Sequence, residues 1–135
     1  MSPSSPEEWA EVARARAADA DAMLPDRGRS VGPVYMAGYS IECLLKAYLQ
    51  KIGKPFPTSG GAGHDVRGLW AASGFRLVDL CDVNGERSFF IEQWSTSLRY
   101  APDNILPLAC DELVAGAKLV SGWLHNKLRR ARSRR

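Results

Sequence analysis

One stretch constrains this chain more than any other. Residues 33–52 place Tyr35, Met36, Tyr39, Ile41, Cys43, Leu44, Leu45, Ala47, Tyr48, Leu49 and Ile52 around a helical wheel and leave almost no polar face. A helix apolar nearly all round belongs at the centre of a bundle or in an oligomer interface. Gly38 in its middle costs about 1 kcal/mol relative to alanine. That cost predicts close approach of another backbone at Gly38. Glu42 and Lys46 interrupt the apolar surface at a spacing of i, i+4. They read either as a surface ion pair of about 0.3–0.5 kcal/mol or as a partly buried pair, where an unpartnered charge is expensive.

The remaining punctuation divides the chain into helical blocks. Ser5-Pro6-Glu7-Glu8 is a helix start with a cap, a first-turn proline and a capping box. The alanine-rich run after it reaches Leu24, where Pro25 to Arg29 break it. Residues 53–63 hold two prolines and four glycines and form a loop. His64-Asp65 opens a short helix carrying Val66, Leu69 and Trp70. Residues 79–87 turn. Residues 88–100 predict a third main helix, with Phe89, Phe90, Ile91, Trp94 and Leu98 on its apolar side. A last helix spans 107–130 on a stripe of Leu113, Val114, Ala117, Val120, Trp123, Leu124 and Leu128. No segment has a period of two, and no repeat is visible. The expected fold is all-α: an up-and-down four-helix bundle with an extra short helix. Trp9, Trp70, Trp94 and Trp123 take core positions by phase.

At 135 residues and 45% hydrophobic content the chain makes one domain with a core of its own. Residues 1–128 form that domain and 129–135 a basic tail. Cys43, Cys81 and Cys110 have neither disulfide-framework nor zinc spacing, so no metal is expected. Apolar runs are broken by Glu42, Lys46 or Lys118, so no bilayer-spanning segment and no membrane partner are expected. The polar N-terminus does not read as a signal peptide, and with the reduced thiols a cytoplasmic location is expected. Lys127, Arg129, Arg130, Arg132, Arg134 and Arg135 supply six positive charges, which leaves −3 of the net +3 on the rest of the chain. Such a tail can touch phosphate or serve as a solvated helix end that complements the dipole.

The order of three elements resembles the HEPN domain family. Tyr35 to Leu49, with Glu42 and the Lys46-Ala47 pair, is similar to that family's second helix. His64-Asp65-Val66-Arg67-Gly68-Leu69-Trp70 is similar to its following His-Asp-Leu segment, and Trp94 with Leu98-Arg99-Tyr100 to its arginine-tyrosine element. The resemblance spans residues 9 to 128. It implies a helical bundle, usually a homodimer, in bacterial toxin–antitoxin, phage-defence or related systems. Some members cleave RNA without metal; others accompany a nucleotidyltransferase. Active members carry Arg-x(4–6)-His. Here the positions before His64 are Pro57, Thr58 and Ser59, and those before His125 are Lys118, Leu119 and Val120, so the motif is absent.

Several groups remain as site candidates. Glu42, Lys46, His64, Asp65, Arg99 and Tyr100 are candidate binding residues. His64 or Asp65 caps the short helix, or His64 faces the bundle's end as phosphate donor or base. Arg99 complements a helix C-terminus, reaches Glu42, or holds a phosphate. Lys118 and His125 share one face of the last helix. His64, His125, Lys118 and Arg99 are the catalytic candidates if the chain cleaves RNA. Gly60 to Gly63 lack the Lys-Ser/Thr ending of a phosphate loop, and no cofactor is expected. The expected function is a homodimeric HEPN-like component that binds RNA, a nucleotide or a defence-system protein. The alternatives are a divergent metal-independent ribonuclease and an interaction subunit for a nucleotidyltransferase.

Overall fold

A computed structural model describes residues 3–57, 63–102 and 105–132. Among them every regular element is helical. Three long helices carry the fold: α1 (Pro6–Arg27), α2 (Gly32–Lys51) and α5 (Cys110–Arg130). Between α2 and α5 lie α3 (Val66–Ala72), a 3₁₀ turn (Leu77–Leu80), α4 (Ser88–Glu92) and a second 3₁₀ turn (Thr96–Tyr100). No helix is long and apolar enough to cross a membrane among the described residues.

The helix of residues 33–52 is the spine, as its all-round apolarity demands. Ile41, Cys43, Leu44, Leu45, Ala47 and Leu49 are fully enclosed. α1, α5 and α3 all pack against it. α2 ends where glycine allows it to. Gly53 has φ +77°, and Lys54 N–H reaches back to the Leu49 carbonyl at 2.9 Å, the closure typical of a glycine stop. Ser5 caps α1 by accepting from Glu8 N–H at 3.1 Å, as expected. α1 does not stop at Leu24, however. Pro25 lies inside its last turn, where the missing N–H removes one bond without ending the helix, and α1 runs to Arg27.

Residues 88–100 are not one helix. α4 lasts five residues. Trp94 then turns inward, and Ser95 is extended (φ −151°, ψ 167°). Ser95, Thr96 and Ser97 favour such a break because their hydroxyls compete for local hydrogen bonds; those of Ser95 and Ser97 bond each other at 2.6 Å. The bundle therefore has three long helices where four were expected. Gly38 explains where Trp94 goes. A Cβ at Gly38 would collide with the Trp94 indole, so the predicted close neighbour is a side chain rather than a backbone. Trp9, Trp70 and Trp94 are core residues, and Trp123 is half-buried against Trp70 and Phe75. α5 begins at Cys110 rather than at Pro107.

Candidate functional site

Glu42 and Lys46 of α2 are the most buried ionic groups among the described residues. Lys46 is 2% exposed and Glu42 1%. One helical turn brings Lys46 Nζ to Glu42 Oε2 at 3.1 Å. Lys46 also lies 5.0 Å from the centre of the Trp9 ring, which replaces part of its lost hydration. The surface-pair reading thus gives way to the buried one.

His64 completes the cluster from the opposite side. Its Nδ1 lies 3.1 Å from both Glu42 carboxylate oxygens. A carboxylate only accepts, so Nδ1–H donates and Nε2 is left to serve the outside. His64 is 36% exposed and tilts against Tyr39 with ring centres 6.4 Å apart. Burial, then the neighbouring Cys43 and Glu42, push the Tyr39 phenol above its ordinary value. Burial and Glu42 push the Cys43 thiol up to about 12, although Lys46 and Arg16 oppose them. Cys43 is therefore an inert core thiol.

Local structure positions this histidine. Asp65 caps α3 by accepting from Gly68 N–H at 3.1 Å. The cap belongs to Asp65, which frees His64 to face α2. His64, Asp65 and Arg67 then line a cleft of about 540 Å³ whose other wall is residues 91–97, which include the carboxylate of Glu92 and the hydroxyl residues Ser95, Thr96 and Ser97. Arg67 and these three hydroxyl residues were not among the sequence candidates. Their position depends on the chain break at Trp94, for which the Ser-Thr-Ser run was the available signal.

The other candidates lie elsewhere. Arg99 does not reach Glu42, whose described partners are Lys46 and His64. It is exposed and stacks 4.8 Å from the Tyr100 ring. Tyr35 and then Tyr100 beside it raise its pKa further. Tyr100 is also exposed. Lys118 pairs with Asp21 across the α1–α5 seam at 2.8 Å. His125 lines the same seam; burial, then Arg14 and Arg129, push its imidazole below the ordinary value. Of the basic tail, Lys127, Arg129 and Arg130 still belong to α5. Lys127 stacks on Trp123 at 5.0 Å and Arg129 bonds Asn126. Arg132 follows the helix, while Arg134 and Arg135 lie outside the described residues. No group of three potential metal ligands occurs among the described residues. Compared with known proteins, the chain matches no family model, no curated protein and no solved structure at a significant level.

Proposed function

We propose that the chain is a HEPN-like helical component of a bacterial defence or toxin–antitoxin system that binds a phosphate-bearing ligand, RNA or a nucleotide, in the His64 cleft. One observation carries this reading: a wholly buried carboxylate, itself neutralised by Lys46, spends both oxygens on orienting a half-exposed histidine. Such an arrangement fixes the tautomer and ring plane and leaves Nε2 for the cleft. Arg67 lines the cleft with a guanidinium fork, and Ser95, Thr96 and Ser97 line it with hydroxyl residues, beside the carboxylates of Asp65 and Glu92. The homodimer belongs to the same proposal; exposed Tyr100, Ile105 and Leu119 are apolar surface for a two-fold contact to cover.

The test is titration of labelled RNA and of a nucleoside monophosphate into the protein, beside Arg67→Ala and His64→Ala variants. Weakening of about tenfold in both variants supports the cleft; unchanged affinity in both removes it. The same dyad supports a second reading, a metal-independent ribonuclease with His64 as base. A carboxylate orienting an imidazole is the arrangement that general-base catalysis uses. RNA cleavage that persists in EDTA and disappears in His64→Ala would establish the ribonuclease and replace the binding role.

A further inference from the structure

A row of aromatic rings crosses from α2 to α5, and none of its members lines the His64 cleft. The ring of Tyr48 lies 4.8 Å from that of Phe75, and Phe75 lies 4.8 Å from Trp123, edge to face. Gly74, at φ +81°, closes the end of α3 and lets the chain bring Phe75 back to the bundle. Trp70 supports the row from within, 5.1 Å from Phe75 and 5.4 Å from Trp123. Trp70 is enclosed, whereas Tyr48, Phe75 and Trp123 are each half-buried.

The surroundings of the row are basic. Trp123, Lys127 and Arg130 share one face of α5 at i, i+4 and i+7. Lys127 Nζ lies 5.0 Å from the centre of the Trp123 ring. Lys51, one turn beyond Tyr48, donates to the Leu128 carbonyl at 2.8 Å, and Lys54 donates to the Ala72 carbonyl at 3.0 Å, three residues before Phe75. Each of these bonds spends one of three ammonium donors and cancels no charge. No acid follows Glu112 in the sequence. None of Lys51, Lys54, Lys127 and Arg130 forms an ion pair among the described residues. Asp79 accepts the Arg76 N–H at 3.1 Å, and the Arg76 side chain offsets its charge.

Half-open rings with unpaired cations beside them match flat aromatic groups carried on a chain of anions. A single strand of nucleic acid is such a polymer, and stacking on protein rings is open to every base. A duplex keeps its base faces to itself, and an acidic peptide would engage the cations and leave the rings unused. We infer that the Tyr48–Phe75–Trp123 row, flanked by Lys54, Lys127 and Arg130, docks a single-stranded nucleic acid, with bases on the rings and phosphates on the cations. A cation over an exposed ring is held weakly, so a phosphate draws Lys127 aside and a base takes its place on Trp123. The inference does not rest on the His64 cleft.

The probe is an adenylate oligonucleotide of about eight residues, titrated into the full chain and followed by tryptophan fluorescence. Trp9, Trp70 and Trp94 are buried, so Trp123 is the tryptophan that a base reaches, and its emission is expected to be quenched. Polyphosphate and oligoglutamate of similar charge carry no bases and are expected to bind about tenfold more weakly, without quenching. Trp123→Leu is expected to weaken the oligonucleotide about tenfold. Lys54→Gln with Arg130→Gln, both at exposed positions, is expected to make the log–log salt slope shallower by about 1.4, because a single strand gives about 0.7 per phosphate. His64→Ala is expected to leave the quenching in place. The inference is overturned if the oligonucleotide does not bind, binds without quenching, or binds no more tightly than polyphosphate or oligoglutamate. It also fails if Trp123→Leu binds like the parent chain, or if the exposed double variant keeps the parent's salt slope. Quenching that disappears in His64→Ala assigns the strand to the cleft and removes this surface.

Discussion

At the scale of single residues, the charge pair in α2 gives the sharpest expectations. Glu42→Ala leaves the Lys46 ammonium buried without a counter-charge. A loss of about 3–5 kcal/mol in urea unfolding is expected. The double change Glu42→Leu with Lys46→Met removes both charges and should be near neutral in the same assay, since the pair's attraction largely offsets its own desolvation. If the double variant is as unstable as the single, the packing of these side chains, not their charge, is what matters. Gly38→Ala places a methyl group against the Trp94 indole and is expected to cost about 1–3 kcal/mol by overpacking, despite its better helix propensity. His125 gives a pH dependence. Burial, then Arg14 and Arg129, hold its folded-state pKa below the ordinary value of about 6.5. The unfolded chain therefore takes up this proton first on acidification. Its contribution to stability is full above about pH 6.5 and is lost as the pH falls through the lower folded-state value. His125→Gln should make the difference in urea midpoint between pH 7 and pH 5 smaller than in the parent.

At the scale of elements, the segment between α3 and α5 depends on side-chain anchors rather than on length. α4 is too short to be stable through its own hydrogen bonds. Asp82 receives Ser88 N–H at 2.9 Å and Arg87 N–H at 3.3 Å, and so satisfies donors at the start of α4. Burial disfavours the ionised Asp82 carboxylate, but its hydrogen bonds from Ser88 and the adjoining backbone outweigh this and hold its pKa below the ordinary value. Asp82→Ala is expected to cost about 0.5–2 kcal/mol, the range of a helix cap. Hydrogen exchange should show the loss confined to residues 82–94, with α2 unaffected. The helices that proved legible in the sequence were those with repeated apolar positions or local stop signals: Ser5 with Glu8, the α2 surface, Gly53, and the α5 stripe. Residues 88–100 share that periodicity, yet they break at Trp94. The indole gains a slot over Gly38, fifty-six residues earlier, and local pattern carries no information about such a slot.

At the scale of the whole molecule, the chain joins a slightly acidic bundle to a basic C-terminal end. If RNA is bound through that end, affinity should fall with salt at a log–log slope of about −3 to −5, as four to six neutralised phosphates require. A variant truncated after Leu128 separates the two surfaces. A flattened slope with His64-dependent binding retained would assign the end to general attraction and the cleft to recognition. A slope unchanged by truncation would show that the tail makes no phosphate contact. Lys127 and Arg129 already have partners within α5, so most of the effect should come from the residues beyond them.

What the sequence determined by itself was the helical class, the central place of α2 and the charge asymmetry of the two ends. Each follows from short-range pattern: hydrophobic period, capping residues and counts of ionised groups. Tertiary structure decided the rest. It showed that Glu42 and Lys46 are enclosed rather than solvated, with Trp9 of α1 against Lys46 and His64 against Glu42. It gave Asp65 the cap and His64 the carboxylate, a division that two adjacent polar residues at a helix start leave open. It separated His125 and Lys118 from His64, and kept Arg99 at the surface with Tyr100. These outcomes depend on which faces of distant helices meet, and that is set by shape complementarity across the bundle, as between Trp94 and Gly38, rather than by the order of residues along any one helix.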